Sequence, residues 1–169
     1  KINKKPMLEI LTERLSHSSY VNKIIIATTK SKEDDPIENW CNSKNHLCYR
    51  GSRDDVLQRL LDAAENFKIK TIIEVLGDNP LVHSDIVDKS MDLFLTKGYD
   101  YVATITNEYG ELKPKLKRFP IGIRVQIFSI ETLRKCASLA KEKAYREHAT
   151  SFIIENQNLF NMGFIEAND

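Results

Sequence analysis

Two short runs of apolar residues constrain the fold of this chain most strongly. Residues 23–29, KIIIATT, and residues 70–76, KTIIEVL, are typical of strands that are covered on both faces. Stretches with helical spacing of apolar residues lie before, between and after them. Strands and helices therefore alternate, and this order predicts right-handed βαβ units in an α/β fold with a mostly parallel sheet.

The other elements follow the same alternation. Further strands are predicted at residues 46–50, 99–105, 121–128 and near 159–165. Helices are predicted over residues 6–16, from Asp35, from Ser52, from Ser84 to a stop at Gly98, from Ser129, and over 144–157. Asp35, Ser52, Ser84 and Ser129 are the expected caps, and the strand at 121–128 is expected to be half-buried. A length of 169 residues suits one such domain.

Composition removes several classes of function. Lys and Arg number 25 against 24 Asp and Glu, a balance that lacks the basic footprint of a nucleic-acid or membrane-surface binder. Three cysteines at unrelated spacings argue against a disulfide framework and fit a reducing compartment. No apolar run has the length of a membrane span, so a cytoplasmic protein is expected.

Asp78 is the sharpest candidate for chemistry. In open α/β sheets, ligands bind where the strands end, and Asp78 follows the strand at 70–76 between Gly77 and Asn79. A single hard carboxylate there suits Mg²⁺, which prefers one or two protein carboxylates together with phosphate oxygens and water. An Asx turn that leads into the next helix is the alternative.

Two other segments carry polar groups at strand or helix ends. Gly51 permits a close backbone approach, and Ser52 precedes a helix N-terminus that favours anions, although a plain strand–turn–helix connection needs the same residues. Lys113, Lys115, Lys117 and Arg118 form either a solvated loop or a docking site for an acidic small molecule.

Five segments, taken in order, resemble the cytidylyltransferases that activate sugar acids and related sugars. The resemblance is to the spore-coat polysaccharide biosynthesis protein F group, with CMP-acylneuraminate and CMP-Kdo synthetases as wider relatives. The segments are Lys5-Pro-Met-Leu-Glu9; Ile25-Ile-Ala-Thr-Thr29 with Glu33-Asp-Asp-Pro36; Arg50-Gly-Ser52 with Asp54-Asp-Val-Leu57; Gly77-Asp-Asn-Pro-Leu81; and Pro120-Ile-Gly-Ile-Arg-Val-Gln-Ile-Phe128 with Arg146-Glu-His-Ala-Thr150.

The resemblance implies a Rossmann-like, three-layer nucleotidyltransferase fold of the glycosyltransferase-A type. It implies that a sugar hydroxyl attacks the α-phosphate of CTP to give a CMP-sugar and pyrophosphate, with Mg²⁺ as cofactor. Asp78 then carries over as the catalytic metal ligand. The implied nucleotide-binding residues are Ala27, Thr28, Arg50, Gly51, Ser52 and Gly77. The implied acceptor-binding residues are Arg124, Arg146 and His148. The resemblance also implies a homodimer in which residues 106–119 reach the partner.

The chain departs from the family pattern in two ways. The family's first strand, its glycine-rich phosphate loop and its C-terminal end have no counterpart here, so residues 1–169 are expected to form a single domain incomplete for activity. Ile121, Arg124 and Gln126 stand where the family often has acidic residues, which puts a second metal ligand in doubt. Two alternatives stay open: a nucleotidyltransferase that uses a sugar 1-phosphate or another base, and a non-catalytic nucleotide-binding or scaffold protein.

Overall fold

Strands and helices alternate along most of the chain, as their apolar patterns predict. The computed structural model describes residue 2, residues 4–107, residue 113 and residues 115–167. The strands are β1 (Ile25–Thr29), β2 (Leu47–Gly51), β3 (Thr71–Glu74), β4 (Tyr101–Thr104), β5 (Gln126–Ser129) and β6 (Met162–Ile165). The helices are α1 (Met7–Leu15), α2 (Asp35–Lys44), α3 (Val56–Asn66), α4 (Ser84–Lys97), α5 (Ile130–Leu139), α6 (Lys143–Glu147) and α7 (Ser151–Glu155). A 3₁₀ turn over Lys32–Asp34 precedes α2.

The first of two structural units comprises Lys1–Asn22, Ile72–Phe128 and Phe160–Asp169. Its sheet has the order β3-β5-β4-β6, with β4 antiparallel to β5 and parallel to β6. Helix α4 packs against β4 and β6, and α1 packs against α4. The core contains Leu11, Val82, Val87, Met91, Val102, Val125 and Ile127. Their burial removes apolar surface from water, which is the main force that holds this unit together.

The second unit comprises Lys23–Thr71 and Ser129–Leu159. Strands β1 and β2 pair in parallel, with Thr28 opposite Arg50 and Thr29 opposite Gly51. Helix α3 packs on both strands and also against α5 and α6. The buried apolar side chains of this unit include Cys41, Leu57, Leu61, Leu133, Cys136 and Ile153.

The fifth strand differs from its prediction. An extended strand was expected over residues 121–128, but β5 begins only at Gln126, because Pro120 and Gly122 form a turn and Gly122 has a φ of +93°. The strand is also buried rather than half-buried, since Gln126, Ile127 and Phe128 are all buried. The alternation of apolar and polar residues in 121–128 therefore does not correspond to one buried and one solvent-exposed face.

Helix boundaries differ at several caps. Ser129 caps α5 by accepting the Thr132 N–H, and Gly98 ends α4 in the left-handed conformation, both as predicted. The other three predicted caps are wrong: α2 is preceded by Asp34, α3 by Asp55 and α4 by His83. The helix predicted over 144–157 is two short helices, α6 and α7. No helix in the described ranges is long and apolar enough to cross a membrane.

Candidate active site

One edge of the four-stranded sheet collects the predicted metal ligand and one predicted acceptor-binding residue. Because β5 is antiparallel to β4, with Gln126 opposite Ala103, the start of β5 lies where β4 ends. Gln126 Nε2 donates to Glu74 Oε2 over 3.0 Å, which places the last residue of β3 at this edge too. Asp78 follows Glu74 by four residues and Arg124 precedes Gln126 by two. Both turns therefore lie at the edge of the sheet where β3 and β4 end.

A close approach between the two turns agrees with this placement. A methyl group added to Gly122 would lie 3.5 Å from Asn79 Oδ1. Asn79 is buried, and its N–H donates to the Leu76 carbonyl over 3.0 Å. The Asp78 carboxylate is exposed, and within the described residues it makes no hydrogen bond or ion pair. The side chain is therefore not used for an Asx turn, which was the structural alternative.

Asp78 offers a metal ion one exposed carboxylate. The described part of the chain holds no cluster of three or more His, Cys, Asp or Glu side chains that could bind a metal. A resident, protein-enclosed cation needs such a cluster, whereas Mg²⁺ can be held by one carboxylate when phosphate oxygens and water complete its octahedron. The residues present therefore fit a magnesium ion that arrives with a polyphosphate.

A second strand edge lies in the other unit, where β1 and β2 end side by side. The predicted nucleotide-binding residues Ala27, Thr28, Arg50 and Gly51 belong to these two strands, and Ser52 follows directly. Thr28 is buried and Ala27 is partly buried. The structure therefore brings these five residues together at one edge, while Gly77, Asp78 and Arg124 belong to the first unit.

Arg50 is engaged by its own unit. Its Nε donates to the Thr29 carbonyl, and Nη1 donates to Glu38 Oε2 over 2.6 Å. Nη2 donates to the Ser31 carbonyl over 2.7 Å and to Asp35 Oδ1 over 2.9 Å. The side chain is only 16% exposed. The Arg50 guanidinium thus connects the end of β2 to the start of α2. These bonds favour a structural role for Arg50 over direct contact with a nucleotide.

Asp34 stabilises the connection between β1 and α2. Its Oδ2 accepts the hydroxyls of Thr28 and Thr29 and the Thr29 N–H. The hydrogen bonds from Thr29 and Thr28 hold the pKa of the Asp34 carboxyl below its ordinary value. The negative charge therefore fixes the segment that leaves β1, directly beside the Arg50 network.

Gly51 and Ser52 have defined structural partners. A Cβ on Gly51 would meet Arg59 Cγ at 2.6 Å, so only glycine fits beside α3 without a shift. The Ser52 hydroxyl accepts the Asp55 N–H over 3.0 Å, and its carbonyl accepts from Arg59 Nη1 over 2.6 Å. Ser52 itself is exposed and precedes the first turn of α3.

Arg146 also has a structural partner, whereas His148 is exposed. Arg146 Nε and Nη2 donate to Asp55 Oδ2 over 3.0 and 2.8 Å. Nη2 also donates to Gln58 Oε1, and Nη1 donates to the Ala137 carbonyl, each over 3.0 Å. The arginine therefore joins α3, α5 and α6. His148 ends α6 with its side chain toward solvent.

The basic loop before β5 is only partly described. Lys113, Lys115 and Lys117 are exposed, and Arg118 Nη1 donates to the Thr106 carbonyl over 2.6 Å. The predicted contact with a partner subunit falls on residues 106–119, of which 108–112 and 114 lie outside the described residues.

Sequence reasoning missed two groups of polar residues. The sequence pattern places Asp34 in a run of acids and Glu74 and Tyr101 in ordinary strands, and it indicates no partner for them. Gln126 stands out only by the family position it occupies. Inward-facing Tyr and Gln in otherwise apolar strands were the available signal, because buried polar side chains require partners.

The fold and these two edges define an α/β protein of the nucleotidyltransferase type. Residues 1–167 match the family model described as cytidylyltransferase, and the chain belongs to this family. It is 37% identical over 166 residues to an uncharacterized protein, MJ1063, of Methanocaldococcus jannaschii, covering 98% of this chain and 63% of that protein. It is 28% identical over 166 residues to the spore coat polysaccharide biosynthesis protein SpsF of Bacillus subtilis, covering 95% and 64%. The chain therefore spans just under two thirds of these relatives.

Solved structures agree with the fold. A cytidylyltransferase from Leptospira borgpetersenii superposes with a TM-score of 0.86 at 27% identity, over 99% of this chain and 68% of that one. A CMP:2-keto-3-deoxy-manno-octonic acid synthetase complexed with CTP superposes with a TM-score of 0.71 over 99% and 81%. At 12% identity, the second likeness concerns the fold alone. The predicted fold class is confirmed.

Proposed function

We propose that the whole protein transfers CMP from CTP to a hydroxyl group of a sugar or sugar acid, with release of pyrophosphate, in the biosynthesis of a surface polysaccharide or glycoconjugate. The observation that carries the proposal is the exposed carboxylate of Asp78 at a sheet edge, which makes no hydrogen bond or ion pair within the described residues. The chain belongs to the cytidylyltransferase family over residues 1–167. The name of the Bacillus subtilis relative supports a role in polysaccharide biosynthesis.

Nucleotidyl transfer asks a protein mainly to position groups and to neutralise charge. The acceptor oxygen forms a bond to the α-phosphorus and loses its proton to solvent, and the bond from that phosphorus to the pyrophosphate oxygen breaks. Asp78 is the residue that would hold Mg²⁺, which when bound offsets negative charge on the phosphate oxygens. Gly77, which has no neighbouring atom within 4 Å of an added Cβ, leaves room beside this carboxylate.

The edge formed by β1 and β2 is the proposed wall for the nucleoside. Ala27, Thr28, Gly51 and Ser52 line it. Arg50 acts there through the backbone it holds, because its guanidinium is bonded to Thr29, Ser31, Asp35 and Glu38 of its own unit. We assign it the role of shaping the wall.

Arg124 and His148 are the proposed contacts to the acceptor. Arg124 leaves the same sheet edge as Asp78, and a guanidinium binds anionic oxygen groups well. His148 is exposed. Arg146 is given a structural role instead, since its guanidinium is bound to Asp55.

The protein is further proposed to be a homodimer, as the resemblance to its family implies. Sedimentation velocity of the full-length protein at micromolar concentration measures this directly. A dimer is expected, and a strict monomer would overturn the assignment.

The test of the proposed function is the substitution Asp78→Ala in the full-length protein. Turnover of CTP with Mg²⁺ and a panel of sugars and sugar acids should fall by at least about 100-fold, because the metal loses its protein ligand. Asp85→Asn removes another exposed carboxylate of the same unit and is the matched control. If Asp78→Ala retains the activity of Asp85→Asn, Asp78 is not the metal ligand.

A second measurement identifies the base. Thermal unfolding with CTP, UTP, GTP or ATP, each with and without Mg²⁺, should show a magnesium-dependent shift for CTP alone. A ligand at about 100 times its Kd stabilises the folded state by roughly 2.7 kcal/mol, which is easily detected. No shift with any nucleotide would favour the scaffold alternative.

A further inference from the structure

A buried polar network lies beneath the sheet edge that carries Asp78. The Tyr101 hydroxyl donates to Gln126 Oε1, and Gln126 Nε2 donates to Glu74 Oε2 over 3.0 Å. Arg124 Nη2 donates to the same Gln126 Oε1 over 3.1 Å. Tyr101 is fully buried and Gln126 is 1% exposed. Three strands thus contribute to one set of hydrogen bonds that includes an arginine.

The orientation of the Gln126 amide follows from its neighbours. Glu74 can only accept when ionised, so the NH₂ group of Gln126 faces it. The amide oxygen consequently faces Tyr101 and Arg124, both of which donate. Glutamate at this position would offer no donor to Glu74 and would set two carboxylates against each other. Glutamine is therefore the side chain that can serve all three neighbours.

The network is held in a fixed place by packing. Tyr101 lies opposite Phe128 in the β4–β5 ladder, and the two rings stack with centroids 6.3 Å apart and planes inclined by 14°. The hydroxyl can therefore move little. Burial of the Gln126 amide costs desolvation free energy, which its hydrogen bonds offset. A buried network whose members are all bonded also holds its side chains in one geometry. The element so fixed is the Arg124 guanidinium.

We propose that Gln126, held by Tyr101 and Glu74, is a positioning residue that aims Arg124 at an anionic group of the acceptor. The proposal rests on the proposed function, in which Arg124 binds the acceptor. It adds that specificity for a charged acceptor depends on three residues that do not touch it. The close approach of Gly122 to Asn79 brings this arginine's turn beside the Asp78 turn, so the acceptor is held near the metal ligand.

Tyr101→Phe is the first test variant, because it removes one hydroxyl and keeps the ring. The Michaelis constant for an anionic sugar acid should rise about five- to tenfold, as expected for one lost hydrogen bond that orients a charge, while that for CTP stays unchanged. Gln126→Met should give a larger rise. Ile127→Val, a buried change on the same strand, is the control for loss of stability alone. Equal Michaelis constants in all three variants would overturn the proposal.

A measurement without turnover separates this inference from the proposed function. The side-chain Nη2–H signal of Arg124 in nuclear magnetic resonance reports how rigidly the guanidinium is held, because Nη2 makes the bond to Gln126. It should be slow to exchange in the wild type and in Ile127→Val, and averaged in Tyr101→Phe and Gln126→Met. If the protein turns over no nucleotide but shows this pattern, the positioning network stands and the proposed function fails. An unchanged signal in both network variants overturns the network.

Discussion

The Asp55 carboxylate serves helix α3 and Arg146 at the same time. Its Oδ1 accepts the Gln58 N–H over 2.9 Å and so caps the helix, while Oδ2 accepts both Nε and Nη2 of the arginine. The arginine side chain is 18% exposed, so water screens this pair only partly. One carboxylate thus couples the N-terminus of α3 to α6, 91 residues away in the chain.

Arg146→Met is expected to destabilise the protein by about 2 kcal/mol, because it removes several hydrogen bonds and leaves Asp55 without its charged partner. Arg134→Met is the matched control: its side chain is 52% exposed beside Glu65, and such surface pairs contribute under about 1 kcal/mol. Urea unfolding measures both. Equal effects of the two substitutions would show that the Asp55 pair is no stronger than a surface pair.

Acid should weaken the segment that follows β1. The pKa of Asp34 is held down chiefly by the Thr29 hydroxyl, then by the Thr28 hydroxyl and the Thr29 N–H. A carboxyl with a lowered native pKa stabilises the fold above its unfolded pKa, near 3.8, and this contribution is lost as the pH falls through the native value. In Asp34→Asn the deficit in unfolding free energy should therefore be largest at pH 5–7 and shrink toward pH 2.

Thr29→Val provides the second arm of that experiment. It removes the largest cause of the lowered pKa and keeps the carboxylate, so the acid loss of stability should begin at a higher pH than in the wild type. Unfolding free energies from urea titrations at several pH values supply the curve. A deficit in Asp34→Asn that is constant with pH would contradict the assignment.

The apolar runs predicted where two strands lie, but the expected burial on both faces was wrong. In β1 and β3 only Thr28 is buried, and the other residues are partly buried. KIIIATT and KTIIEVL contain β1 and β3, and the change to helical spacing between them marks α2 and α3. The local pattern predicted the start of β5 wrongly, because a turn at Gly122 occupies the first part of the predicted strand. Consecutive acids in 33–35 and 54–55 also hid which one precedes each helix, since every member has the side chain of a cap.

The site could be predicted only as far as strand ends reveal it. Asp78 stands out in the sequence because its turn follows an apolar strand, and its role as a metal ligand stays a prediction. The hydrogen bonds of Arg50 could not be predicted, because its partners Asp35 and Glu38 lie 15 and 12 residues earlier and no local pattern pairs them with the arginine. The Gln126 network needed the pairing of β4 with β5, which is a tertiary fact. Whether an arginine binds substrate or has a structural role depends on partners that are distant in the sequence, as for Arg50 and Arg146, and residue type alone does not reveal it.

Gly163 is expected to tolerate no side chain. A Cβ at this position in β6 would lie 2.5 Å from the Tyr99 ring, which is too rigid to yield as a flexible chain end would. Gly163→Ala should cost about 1–3 kcal/mol through overpacking. Gly77→Ala meets no atom within 4 Å and should change stability by less than about 0.5 kcal/mol. Equal thermal stabilities of the two variants would contradict the packing described for β6.

The three thiols should differ in reactivity toward iodoacetamide. Burial raises the pKa of Cys41 to about 12 and that of Cys136 to about 11, and both side chains are inaccessible. Cys48 is only partly buried, although burial raises the pKa of this thiol also. Because the thiolate is the nucleophile, native protein should be alkylated first at Cys48, with the other two reacting only after unfolding. Mass spectrometry of timed samples reads this order, and Cys48→Ser should remove the early product. Early modification of Cys136 would mean that the α5 face opens in the native state.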